Sequence, residues 1–180
     1  MKKIRNGTVI KEEVNISNCN EVIINAKEMI QRSGTSTRIA TVGEINDLNE
    51  KLDIKLPEWL IELMTTVEVC DSELVVPLDE EDEDAKLRIE FLNPKCIIEE
   101  CLDAVPGCAV YKNGYICIGI EIAIGDAYAI NIHEGNNPPV YLLNHEYGEE
   151  TEMIIENKLT VVKKLSDLFL VATIKSKIVE

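Results

Sequence analysis

The apolar residues of this chain change their spacing partway along, and that change limits the fold more than any single residue does. In the first third they recur at three- and four-residue intervals, which places them on one side of a helix. Val22, Ile23, Ala26, Met29 and Ile30 predict a helix from about Asn20 to Ser33, with Gly34 supplying a left-handed terminus. Val42, Ile45, Leu48 and Leu52 predict a second helix that ends near Asp53. Pro57 is expected to open a third at its first position, where the missing N–H has no intrahelical partner to lose. Leu60, Leu63, Met64 and Val67 form the buried stripe of that helix, and Trp59, the only tryptophan, flanks it as a core or edge anchor.

From Cys108 onward, short β-rich segments replace the helical pattern. Asn113-Gly114, between Val110-Tyr111-Lys112 and Tyr115-Ile116-Cys117, is a hairpin signal, because this pair tolerates the positive φ angles of a type I′ turn. Ala127 to Ile132 and Val140 to Leu143 read as further strands, separated by the turn-forming spacer from His133 to Pro139. Val161 to Leu165 then leads into a closing helix capped by Ser166. That helix carries Leu170, Val171, Ile174 and Ile178 on one face, with Lys175 and Lys177 near its negative end. Helices, then a strand meander, then a closing helix predict an α+β fold with a mostly antiparallel sheet flanked by helices. Thr8 to Ile16 is a polar, strand-like lead. The small-residue run from Ser33 to Thr37 is the expected boundary between an N-terminal extension, residues 1–34, and a main domain, residues 35–180.

Charge bears on function. Lys and Arg number 18 against 33 Asp and Glu, a net charge of -15, and a field of that sign repels phosphate backbones and anionic lipid heads. Nucleic acid and membrane are therefore not expected as partners, whereas a cationic protein would be attracted. Asp79, Glu80, Glu81, Asp82, Glu83 and Asp84 form an unbroken acidic run that repels itself and is expected in an exposed loop. It lacks the glycine and the alternating ligand positions of an EF-hand loop. The apolar run from Leu168 to Ile174 is a fraction of the ~20 residues a membrane helix needs, and Asn6-Gly7-Thr8 interrupts any export signal, so the cytoplasm is the expected compartment.

Six cysteines, Cys19, Cys70, Cys96, Cys101, Cys108 and Cys117, include no C-x-x-C pair and read as small buried apolar residues. Phosphate-loop, nucleophile-elbow, dinucleotide and H-E-x-x-H signatures are missing, and no cofactor or metal is expected. Hydrophobic residues make up 46% of the chain but aromatics only 4%, which predicts a core filled mainly by Ile, Leu and Val.

Three segments resemble one family. Val42 to Leu52 followed by Leu56-Pro57-Glu58-Trp59-Leu60 is similar to an opening helix, a Leu-Pro step and a second helix. Ile118-Gly119 leading to Gly125-Asp126-Ala127-Tyr128 is similar to a Gly-Asp strand, and Pro139-Val140-Tyr141 to His145-Glu146 to a Pro-Val-Tyr strand ending in an His-Glu pair. Together they resemble the SUKH superfamily, or SMI/KNR type, which groups fungal cell-wall-synthesis regulators with bacterial toxin-immunity proteins. The resemblance implies a non-enzymatic protein-binding domain. Its bacterial branch implies an immunity protein that neutralises a cognate, nuclease-type toxin, and its fungal branch implies a regulatory or scaffolding module.

Within these segments, Gly125 and Asp126 are explained by backbone freedom and by a hydrogen bond to their own turn. His145 and Glu146, adjacent at a strand end, are expected on opposite faces. An enzyme using Asp126, His145 and Glu146 is the minority reading. His133 is expected in a loop.

Overall fold

The computed structural model describes residues 20–78 and 85–175. The acidic run from Asp79 to Asp84, the lead from Thr8 to Ile16, Cys19, Lys177 and Ile178 lie outside the described residues.

The three segments with helical spacing all fold as helices. α1, Glu21–Ser33, starts from Asn20, whose side chain accepts the Val22 N–H, and ends at Gly34 with φ 65°. α2, Val42–Leu52, carries a full capping box in which Thr41 and Glu44 satisfy each other's backbone N–H groups. α3, Glu58–Thr66, buries Trp59, Leu60, Leu63 and Met64. Burying one such Leu or Met side chain is worth roughly 2 kcal/mol.

Among the described residues, seven antiparallel strands form one sheet in the order β6-β5-β4-β3-β2-β1-β7. They are β1, Glu73–Pro77; β2, Lys86–Phe91; β3, Tyr115–Glu121; β4, Ala127–Asn131; β5, Val140–Leu143; β6, Leu159–Val162; and β7, Thr173–Lys175. Between them run α4, Pro94–Leu102; α5, Gly107–Val110; α6, Thr151–Asn157; and α7, Leu165–Val171. The result is an α+β fold with helices flanking an antiparallel sheet. One continuous core extends from Val22 in α1 to Ile174 in β7. It is mainly aliphatic, and both phenylalanines meet inside it, with the Phe91 and Phe169 ring centroids 6.2 Å apart.

α1 packs against α7, α3 and β7. Arg32 fixes this docking: its Nη2 lies 2.9 Å from the carbonyl oxygens of Phe169, Leu170 and Ala172. These carbonyls close α7 and have no intrahelical donor, so one guanidinium does the work of a C-terminal cap.

Several expectations need correction. Val42 is 72% exposed, because the first turn of α2 projects beyond the core and the buried face begins at Ile45. Pro57 is the N-cap residue of α3 and not its first helical residue, with its carbonyl accepting from Leu60 and Ile61. Val110-Tyr111-Lys112 is not a hairpin strand: Gly107–Val110 is helical, Tyr111–Asn113 is a 3-10 turn, and β3 pairs with β4 instead. Gly114 does hold a positive φ of 88°, but it closes that turn through its N–H to the Tyr111 carbonyl.

The closing helix is also shorter than expected and shows another face. Ser166 lies inside α7, and Lys164 is the N-cap residue. Leu165, Leu168 and Phe169 are buried, whereas Leu170 and Val171 are about half exposed. The chain turns extended at Ala172, so Ile174 pairs with Leu74 of β1 and Lys175 sits on a strand, not at a helix end.

Candidate functional site

Leu56, Pro57 and Trp59 come together at a cavity of about 570 Å³. The Leu-Pro step is held by α2: Asn49 Oδ1 accepts the Leu56 N–H at 2.9 Å, while the Asn49 amide donates to the Ile45 carbonyl. The cavity has an apolar floor, with Leu56 and Trp59 buried and Pro57 and Ile132 half-buried. Its rim is polar, made of exposed Lys55, Glu58, Glu62, His133 and Asn136. Glu58 and Glu62 stand one turn apart on α3 and share one helix face. Trp59 is 5% exposed, and its indole N–H is buried without an acceptor. An orphaned buried donor costs about 1–3 kcal/mol, so its presence in a motif residue is not neutral.

The far wall is the connection between β4 and β5, which is fastened at both ends. Asn131 Oδ1 accepts the His133 N–H, and the Ile132 N–H donates to the Gly114 carbonyl. A Cβ at Gly114 would stand 2.5 Å from the His133 ring, so glycine there lets the ring lie against the backbone. Tyr141 on β5 donates its hydroxyl to Glu134 at 2.8 Å. Burial, and then that carboxylate, hold the Tyr141 proton well above the ordinary phenol range. Asn137 bonds the Ser166 N–H and hydroxyl and Glu21, which ties the loop to α7 and α1.

The other motif residues form a second cluster. Asp126 is buried; its backbone carbonyl closes its own turn by accepting the Glu121 N–H, while its side chain bonds His145. Its Oδ1 lies 2.6 Å from His145 Nδ1 and accepts the His145 backbone N–H at 3.1 Å. His145 starts a 3-10 turn, His145–Tyr147, so it does not alternate with Glu146 along a strand. The Glu146 N–H bonds Asn144, and Glu146 is not drawn into the pair. Gly125 has φ 82° with nothing near its missing Cβ, so backbone conformation and not close approach accounts for it. An imidazole oriented by a carboxylate is a general-base arrangement, but a base needs a proton within reach. His145 does not line the Trp59 cavity, and the pair instead ties the start of β4 to the turn after β5.

Among the described residues no three His, Cys, Asp or Glu side chains gather as a metal site, and no helix is long and apolar enough to cross a membrane. Cys70, Cys101 and Cys117 are buried free thiols, and Cys96 and Cys108 are half-buried ones. Burial pushes the Cys70 thiol up to about 12, outside the reactive range.

Sequence reasoning found Leu56, Pro57 and Trp59 but missed Glu58, Glu62, Ile132, His133 and Asn136 as their companions. The i, i+4 carboxylates were readable from spacing; the loop was not, because only β-sheet pairing carries it to α3.

No curated protein and no solved structure gives a match to the chain. A family model described as the SMI1 / KNR4 family (SUKH-1) matches residues 39–160. The matched stretch runs from the lead into α2, through the Leu-Pro step, the Trp59 cavity and the Asp126–His145 pair, to the start of β6, well over half of the 180 residues. The chain belongs to the SMI1/KNR4 family (SUKH-1).

Proposed function

We propose that this protein is a non-catalytic binding module of the immunity type, which neutralises a cognate toxin by covering a basic, nuclease-type surface. The observation that carries this reading is the net charge of -15 on a family fold that includes immunity proteins. A nuclease needs a cationic surface to hold phosphates, and an acidic inhibitor that occupies the surface excludes the nucleic acid. The six acids from Asp79 to Asp84 are proposed as contacts on this account. Leu78 and Ala85, which flank them between β1 and β2, are joined by a hydrogen bond of 2.8 Å from the Leu78 N–H to the Ala85 carbonyl.

The test is capture of the product of the adjacent gene at low and moderate salt, by the natural chain and by a variant with Asn for Asp and Ser for Glu at residues 79–84. The reading predicts capture by the natural chain and weaker, salt-sensitive capture by the variant. Equal capture by both would remove the acidic run from the interface. Capture without protection of cells would favour the regulatory or scaffolding role.

A further inference from the structure

The Trp59 cavity has the form of a pocket for one long cationic side chain. Half-buried Pro57 and Ile132, set over buried Leu56 and Trp59, offer apolar surface to an aliphatic stem, and two carboxylates on the rim offer acceptors to its head. Neither Glu58 nor Glu62 is held in an ion pair with a described residue. Helix geometry sets their Cβ atoms about 5–6 Å apart, a span that one planar guanidinium bridges with its several N–H donors. Lys55 carries one opposing charge on the same rim, against the two carboxylates of Glu58 and Glu62.

We infer that this cavity receives one arginine side chain from the protein partner, an inference that rests on the proposed role as a binder of basic protein. The arginine stem lies against Pro57 and Ile132, and its guanidinium bonds Glu58 and Glu62. Arginine fits better than lysine because its fork makes paired hydrogen bonds to carboxylates and is more weakly hydrated. Trp59, which lines the cavity, carries a buried N–H that has no acceptor among the described residues. Buried apolar anchors inside a polar rim are the usual form of an interface hot spot.

Trp59 is the chain's one tryptophan and therefore reports on its own cavity. The test titrates the protein with blocked hexa-arginine and hexa-lysine peptides and follows Trp59 emission, for the natural chain and for E58Q/E62Q. Both substitutions fall on exposed positions, and circular dichroism checks that the fold is kept. Expected is a saturable emission change with hexa-arginine, weaker binding of hexa-lysine, and roughly tenfold weaker hexa-arginine binding by E58Q/E62Q, the scale of one lost charged hydrogen bond. No saturable change with hexa-arginine, or the same affinity in E58Q/E62Q, would overturn the inference, and equal binding of hexa-lysine would overturn the assignment to arginine. Equal capture of the adjacent-gene product by both proteins would overturn the cavity's role while leaving the binding role standing. Failure of the natural chain to capture that product would overturn both.

Discussion

Asp126 and His145 are joined twice through a single oxygen: Asp126 Oδ1 lies 2.6 Å from the ring Nδ1 of His145 and 3.1 Å from its backbone nitrogen. The Asp126 side chain is only 7% exposed and that of His145 46%. The buried partner therefore depends on the exposed one. Replacing His145 with Ala leaves a buried carboxylate with one donor fewer, and should cost about 1–3 kcal/mol. Asp126→Asn retains an acceptor oxygen and should cost less. Urea denaturation of the two variants distinguishes this ranking from a purely local surface effect, which would give small and equal losses.

Glu44 gives the fold a readable pH dependence. Its carboxylate accepts from Arg38 and from the Thr41 N–H, and these bonds hold its pKa down to about 2. An unfolded glutamate titrates near about 4.3. Because the folded value is the lower one, the contribution is fully present above the unfolded pKa and fades as the pH falls toward 2. Glu44→Gln should lose roughly 1 kcal/mol at neutral pH, the ordinary worth of a capping interaction. Stability curves of variant and natural chain should converge at the acid end of that window; parallel curves would contradict the assignment.

Arg32 should be hard to replace. Its three carbonyl contacts at the end of α7 join α1 to the far end of the chain. Arg32→Ala is expected to cost roughly 2–3 kcal/mol, and Arg32→Lys to recover part of it, since the shorter side chain must bring its ammonium to the carbonyls that Nη2 reaches. Hydrogen exchange should show α1 and α7 opening together in the Ala variant.

Gly114→Ala combines two faults, a residue at φ 88° and a Cβ 2.5 Å from His133. It should destabilise by more than about 1 kcal/mol. It should also move the His133 side chain, visible as a shift of the His133 ring resonances, because the ring can no longer lie against the turn.

The legible parts of this fold were those governed by local chemistry. α1 was legible to within a residue, from about Asn20 to Ser33, because Gly34 marks its end and one stripe faces the core. β5 was equally plain, since Pro138 and Pro139 bound it on one side. Errors came where a distant element decides. α7 has apolar residues on two faces, and only the docking of α1 and the free edge of β1 select Leu165 and Leu168 as buried and Ile174 as a strand residue. Asn113-Gly114 has hairpin chemistry, but Val110 is buried as the end of a helix, which leaves no first strand. For the site, the Leu-Pro-Glu-Trp step was visible as a motif. Its function as one wall of a cavity was not, because the opposite wall begins at Ile132, brought there by the pairing of β3 with β4.

The most direct measurement of the central claim is a growth-rescue assay in which the adjacent-gene product is expressed with the natural chain or with the chain neutralised at residues 79–84 together with E58Q/E62Q. The account predicts that the natural chain restores growth and binds that product with an affinity that falls as salt rises, and that the neutralised chain folds but protects poorly. Protection that is unchanged by neutralisation and insensitive to salt would contradict it.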